Sequence, residues 1–295
     1  MSRDRQLIAA DGTTITYTVE GEGPALLLTN GLTTNTAFWK YLRPIWLRYH
    51  TVITWDLPGH GNSGPARSPR SASVEAQAIF MRDILDACAL SRALQVGWST
   101  GCQLVLEMYR QFPARCAGLA LLFGPAGQVL DTTQLPLPGA WFAPLLRAAP
   151  ALAFELFSRG VSRALLAPGI IPLGRVLKLI GPDTAEGDVR EVLVHIGRVD
   201  PGTLREMLLS LHAHSARAIL PNVRVPLLIM AGDRDPFAPA EQVGVPMHAA
   251  APQSELIRLP EGTHTALFDE VDSIARAVEE LAVPAFYASR TQAKS

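Results

Sequence analysis

Leu94-Gln95-Val96-Gly97-Trp98-Ser99-Thr100-Gly101-Cys102 joins a short apolar run, 94–97, to a stretch of helical spacing over 100–112. Its centre has the form G-x-S-x-G, and the setting carries more than the five letters. A sharp strand-to-helix turn forces the serine into a strained backbone conformation. Glycine two residues before and two after it, Gly97 and Gly101, lets neighbouring backbone approach. The turn also puts Ser99 at a helix N-terminus, where free N–H groups and the dipole favour developing negative charge. A serine that only caps the helix is the simpler alternative. The strand on one side and the helix on the other favour a nucleophile.

Outward from this turn, short β-rich runs alternate with helical patterns. Residues 7–10 and 15–20 flank Asp11-Gly12 and predict a hairpin. The run 25–29 is continuously apolar, as in a strand covered on both faces. Helical spacing follows over 36–49, broken or kinked by Pro44. A strand is expected over 52–55, a helix over 73–89, and a strand over 118–123. The alternation returns late, with strands over 226–231 and 255–259, a helical pattern over 239–250 and a closing helix over 265–281. A polar, frayed tail is expected over 288–295. Such alternation predicts a mainly parallel sheet of eight strands flanked by helices. Between the halves, residues 127–220 carry successive helical stretches with Pro and Gly between them. Asp200-Pro201 reads as a helix start there. The expected organisation is a core of residues 1–126 and 221–295 and an all-helical cap inserted at 127–220.

A serine hydroxyl needs a base, itself oriented by a third group. The strand over 226–231 runs into Gly232-Asp233-Arg234-Asp235-Pro236, and the last strand into Glu261-Gly262-Thr263-His264-Thr265. Ser99, an aspartate and His264 therefore each follow the C-terminal end of a strand, the edge where sites assemble on parallel sheets. Asp235 and Asp233 are both candidates. Pro236 biases Asp235 toward an extended conformation that can aim its side chain, whereas Asp233 suits a turn. Of seven histidines, only His264 follows a terminal strand. His50 precedes a strand, His60 lies in a glycine-rich loop, His195, His212 and His214 fall in the insertion, and His248 lies in a helical pattern.

These blocks resemble the α/β-hydrolase superfamily, together with Thr29-Asn30-Gly31-Leu32 and Asp56-Leu57-Pro58-Gly59-His60-Gly61-Asn62-Ser63-Gly64. The latter is similar to the D-x-x-G-x-G-x-S of epoxide-hydrolase-like and haloperoxidase-like members. The likeness covers nearly the whole chain except the insertion. It implies the α/β-hydrolase fold, with Ser99 as nucleophile, Asp235 as acid and His264 as base. It also implies an oxyanion hole of the Leu32 and Thr100 backbone N–H groups, with Asn30, Gly31, Gly97, Trp98 and Gly101 as the structural frame. Members usually carry His-Gly where this chain has Asn30-Gly31, which leaves the supporting hydrogen bonds to be found. Serine at the elbow argues against haloalkane dehalogenase and epoxide hydrolase chemistry, which use aspartate there. A carboxylic ester hydrolase is the expectation. Lactone, thioester and C–C bond hydrolysis, or cofactor-free haloperoxidase chemistry, would use the same triad. From a different class, a ligand-binding receptor with vestigial turnover would keep it too.

The bulk numbers fit one large domain with an insertion: 295 residues, 48% hydrophobic and 18% charged, with a formal net charge of −1. Near-neutrality gives no footprint for nucleic acid. Gly59-His60-Gly61-Asn62-Ser63-Gly64 satisfies G-x-G-x-x-G, but it does not follow the first strand, and no acidic residue ends a following strand. Cys88, Cys102 and Cys116 are too few for a disulfide framework, and free thiols are expected. No metal-ligand pattern or cofactor motif stands out, so no metal or cofactor is expected. No run reaches the ~18 apolar residues of a membrane helix, and the N-terminus lacks the long apolar stretch of a signal peptide. A cytoplasmic protein acting on a small ester-like substrate is expected, with no nucleic-acid partner and no stable membrane insertion. The sequence carries no signal for oligomeric state. Within 141–180, Trp141, Phe142, Leu145, Leu146, Phe154, Leu156, Phe157, Leu165, Leu166, Ile170 and Ile171 are expected to pack the cap and line an apolar pocket.

Overall fold

The computed structural model describes residues 4–132 and 142–291. The chain opens with a hairpin, β1 (Arg5–Ile8) and β2 (Thr14–Glu20). β1 begins and ends two residues before the predicted run. Ala9 and Ala10 are drawn into the turn, where Gly12 N–H donates to the Ala9 carbonyl at 2.9 Å and Gly12 takes φ +86°.

β3 (Ala25–Thr29) keeps the predicted bounds. The predicted helix over 36–49 is instead a 3-10 turn, Thr36–Trp39, and a separate short helix, α1 (Arg43–Trp46). Pro44 lacks the N–H that a continuous helix would need, and it occupies the first turn of the new one. Next come β4 (Thr51–Trp55), α2 (Val74–Ala87), β5 (Ala93–Trp98), α3 (Gly101–Gln111) and β6 (Cys116–Leu122). Ser73 caps α2 by accepting from Ala76 N–H at 3.2 Å.

Among the described residues, the segment after β6 carries five α-helices: α4 (Phe142–Ala148), α5 (Ala151–Ala164), α6 (Ile170–Val176), α7 (Glu186–Ile196) and α8 (Pro201–Ala213). Asp200 caps α8, accepting from Thr203 N–H at 2.8 Å, with Pro201 in the first turn. The core resumes with β7 (Leu227–Gly232), α9 (Gly244–Ala250), β8 (Glu255–Leu259), α10 (Ala266–Asp269) and α11 (Val271–Thr291). α9 is shorter than predicted, because Pro246 removes a donor that a longer helix would use. The closing helix breaks at Glu270, which leaves helical geometry at φ −109°, ψ 35°. It then runs past Leu281, since Ala282 and Ala285 continue its buried face. The predicted frayed tail is helical through Thr291; residues 292–295 lie outside the described residues.

The eight strands form one sheet in the order β1-β2-β4-β3-β5-β6-β7-β8. β2 is antiparallel to β1 and β4, and the rest are parallel. Alternation along the strands feeds two cores. In β3, Leu27 joins the layer of α2 and α3, while Leu26 and Leu28 join that of α1 and α11. All three are fully buried. Each such side chain contributes roughly 1.5–3 kcal/mol relative to exposure. The parallel strands end in step: Thr29 pairs with Gly97, Trp98 with Leu122, Leu122 with Met230, and Gly232 with Leu259. The loops after β3, β5, β7 and β8 therefore open on one edge.

Candidate active site

At the end of β5, Ser99 takes φ 55°, a region that costs a residue with a Cβ of the order of 1–2 kcal/mol. The turn is kept tight by absent side chains. A methyl group on Gly97 would lie 2.5 Å from the Gly101 carbonyl oxygen, and one on Gly101 2.5 Å from that of Thr29. One on Gly31 would lie 2.8 Å from Ser99 Cβ. Ser99 N–H donates to the Leu122 carbonyl at 2.9 Å, which ties the elbow to β6. The side chain does not cap α3: Ser99 Oγ lies 3.0 Å from His264 Nε2.

His264 Nδ1 in turn lies 2.8 Å from Asp235 Oδ2. The Asp235 carboxylate is buried, and its other oxygen accepts from Phe237 N–H at 2.8 Å and Ala238 N–H at 3.1 Å. The carboxylate is thus held at both oxygens, so it fixes the imidazole ring it faces. The rings of Trp98 and Phe237 stand 4.9 and 4.7 Å from that of His264. Asp233, the rival acid, points elsewhere and pairs with Arg258 at 2.8 Å. The loops carrying Asp235 and His264 touch backbone to backbone. Arg234 N–H donates to the Gly262 carbonyl at 3.1 Å, and a methyl on Gly232 would lie 2.2 Å from that oxygen. Two other histidines are engaged away from Ser99, His50 with Glu279 at 2.9 Å and His214 with Glu107 at 3.1 Å.

Leu32 N–H faces the elbow but is engaged, donating to Thr100 Oγ1 at 2.7 Å. The two residues expected to form the oxyanion hole therefore meet each other. Asn30, in the place where the family usually has His, is fully buried and tied at both ends. Its amide donates to the Trp55 carbonyl at 2.8 Å, and its oxygen accepts from Trp39 Nε1 at 2.6 Å. A neutral amide completes this network without charge.

His60 supports the same loop, in keeping with the structural position that the family resemblance gives it. Its Nε2 accepts from Thr33 N–H at 3.0 Å, and its Nδ1–H donates to the Pro58 carbonyl at 2.8 Å. That bonding requires neutral imidazole, and burial lowers its pKa to about 4. Thr33 itself takes φ 63°. Asp56 braces the other side, accepting from Thr36 N–H at 3.0 Å and Asn62 N–H at 2.9 Å. A methyl on Gly61 would run into its carboxylate. The glycine-rich block is thus a turn beneath the loop after β3. Its signal in the sequence was the D-x-x-G-x-G-x-S pattern itself.

Ser99 and His264 open into a cavity of about 450 Å³. Phe38, Trp98, Phe237 and Phe268 wall it near the sheet, and Leu165, Ile170, Leu173, Leu177, Val189 and Leu193 roof it. Of the cap residues expected to line the pocket, Leu165 and Ile170 do so. Leu146 and Ile171 are buried, whereas Leu156, Phe157 and Leu166 face solvent. Trp141 and the side chains of Phe142 and Leu145 lie outside the described residues. Much of the roof comes from α7, which lies outside residues 141–180.

The inner part of the insertion is bolted to the core by polar contacts. Asp188 of α7 takes Lys40 Nζ at 2.5 Å and Tyr41 Oη at 2.8 Å. Thr184 meets Thr265, next to His264, at 2.9 Å. In α8, Thr203 and Ser210 accept from Ala66 and Val74 N–H, both at 3.0 Å. The three cysteines are free.

Known proteins share this architecture. A pimeloyl-[acyl-carrier protein] methyl ester esterase of Xanthomonas oryzae is 26% identical over 268 residues, covering 88% of this chain and 96% of that protein. Among solved structures, an esterase from Exiguobacterium antarcticum superposes with a TM-score of 0.78 at 18% identity, covering 95% of this chain and 100% of the other. The enol-lactonase from Burkholderia xenovorans gives 0.74 at 18% identity, covering 95% and 100%. At such identities these two establish the fold alone. The family model for the alpha/beta hydrolase fold matches residues 24–271, and the chain belongs to that family.

Proposed function

We propose that this protein is a serine hydrolase that cleaves a carboxylic ester of a small, largely apolar substrate through an acyl-enzyme. One observation carries the reading: the bonded series Ser99 Oγ, His264 Nε2, His264 Nδ1 and Asp235 Oδ2, with steps of 3.0 and 2.8 Å. Similarity to an ester-cleaving relative supports the bond type.

Ser99 Oγ attacks the ester carbonyl carbon as His264 Nε2 takes its proton. Asp235 keeps the second ring proton on Nδ1 and stabilises the imidazolium that forms. The carbonyl oxygen becomes an oxyanion facing Thr100 N–H and Leu32 N–H. Leu32 N–H becomes available as the Thr100 hydroxyl rotates away. The tetrahedral intermediate collapses, the C–O bond to the alcohol breaks, and His264 gives the alcohol its proton. Water then repeats the sequence on the acyl-enzyme, releasing the acid and restoring Ser99. The apolar roof binds the chain of the substrate, and the helical insertion acts as the lid.

The test is labelling by a fluorophosphonate together with turnover of activated esters. Labelling that Ser99→Ala abolishes, with turnover that it also abolishes, is expected. Labelling without turnover of any ester or lactone would favour a receptor.

A further inference from the structure

The two parts of the insertion meet water very differently. The inner helices α7 and α8 are joined to the core by polar contacts, as described above. α5 and α6 turn apolar side chains outward. Among the described residues, eight of the thirteen large apolar side chains that are exposed lie between Leu152 and Leu177. Helix α5 is largely inverted. Its half-buried positions are Phe154, Glu155, Ser158 and Ser162, while Leu156 is 63% and Phe157 60% exposed. None of its residues is fully buried. On α6, Leu173, Val176 and Leu177 share one face by their spacing. Leu173 and Leu177 also line the cavity over Ser99, so the apolar face continues from the surface into the pocket.

Charge selects what covers this face. Between Arg147 and Lys178 lie five basic residues and one acid, Glu155, on a chain whose net charge is −1. Glu155 pairs with Arg159 at 2.6 Å and Arg175 with Glu186 at 3.4 Å, so the surplus rests on Arg147, Arg163 and Lys178. A second copy docked by two-fold symmetry would bring the basic set against itself. An anionic lipid surface would take both the apolar face and the cations.

The geometry points to α5 and α6 as a docking face for an anionic lipid surface, which delivers apolar esters to the cavity mouth beside Leu173 and Leu177. The contact is peripheral, since no helix among the described residues is long and apolar enough to cross a membrane. The nature of the delivered substrate rests on the ester-hydrolase reading; the docking does not.

Flotation of the purified full chain tests it, using vesicles of phosphatidylglycerol and phosphatidylcholine in equal parts beside vesicles of phosphatidylcholine alone. The wild type is expected to float with the anionic vesicles, weakly with the neutral ones, and to be released by high salt. Arg163→Gln and Lys178→Gln should each lower the vesicle affinity roughly fivefold. Leu156→Ser combined with Phe157→Ser should lower it further, with an unchanged circular dichroism spectrum and unchanged turnover of a soluble butyrate ester. Ser99→Ala should float as the wild type does, so a failed hydrolase reading leaves this test standing. No flotation, or equal flotation with both vesicles, would overturn the docking. So would a concentration-dependent dimer that the Leu156→Ser, Phe157→Ser variant abolishes, which would assign the face to a second copy.

Discussion

Beneath the cavity, the side chains of the triad and of the loops that frame it are held by directed bonds. Asp235 accepts three, Asn30 is tied at both ends, and His60 bonds through both ring nitrogens. Above the cavity the substrate would meet side chains such as Leu173, Val189 and Leu193, which have no directional preference. Directed bonds fix atoms to a few tenths of an ångström, the tolerance that chemistry needs. Apolar contacts fix a volume, and volume selects by size. Substitutions in the floor should therefore act on kcat, and those in the roof on kcat/KM between substrates.

The largest effect belongs to Ser99→Ala. Ester turnover should fall by roughly 10⁴-fold or more with the fold intact. Near-normal turnover would remove the floor from the chemistry altogether. Asp235→Asn should lose on the order of 10⁴ in kcat, because the amide cannot hold the required His264 tautomer. Asp233→Asn, facing Arg258 at the surface, should stay within about threefold. Equal losses in the two variants would break the assignment of the acid.

The third prediction concerns His60, whose pKa falls from 6.5 to about 4 in the folded protein. Above pH 6.5 neither state is protonated there, and His60 makes no pH-dependent contribution. As pH falls from 6.5 to about 4 the unfolded chain binds a proton that the folded protein refuses, so the unfolding free energy drops. The drop should reach roughly 3 kcal/mol. Denaturant titrations across this window should show the slope, and His60→Gln should reduce it. An unchanged slope would mean that other groups set it.

The roof predicts a smaller, graded effect. Each added acyl methylene should raise kcat/KM by about fourfold, from ~0.8 kcal/mol of burial at best, until the cavity is full. Leu193→Ala should move the optimum to a longer chain. Acetate esters preferred over every longer ester would refute an apolar roof pocket. The smallest effect is at Thr100→Ala. The change frees Leu32 N–H from the threonine hydroxyl, and kcat should rise or stay within about threefold. A loss beyond tenfold would show that the hydroxyl itself donates to the oxyanion.

The floor was legible in the sequence because its parts are local. Gly97-Trp98-Ser99-Thr100-Gly101 encodes its own turn, and the strands over 25–29 and 255–259 were read to the residue. The order serine, aspartate, histidine follows from strand ends, Pro236 and the family resemblance single out Asp235 from Asp233, and Ser99, Asp235 and His264 do meet. The Leu32–Thr100 bond was not legible, since it depends on a side-chain rotamer across two loops. His60 was placed in its loop, but its partner, Thr33, comes from another strand's end. The roof was read least well. Apolar residues in 141–180 point both into the cavity and out to solvent, so periodicity alone cannot say which face is which. Val189 and Leu193 lie on α7, where charged residues dilute the apolar signal.

Ser99 stands at φ 55°, where glycine would be at ease. A nucleophile held in this conformation would trade folding stability for activity. Comparing two dead variants isolates that cost. Ser99→Ala and Ser99→Gly both lose the hydroxyl and its bond to His264, but only glycine relaxes the backbone. Ser99→Gly should therefore melt at the higher temperature, by a degree or a few for roughly 1 kcal/mol of relieved strain. A chain with no turnover to keep would gain stability by accepting glycine at this position.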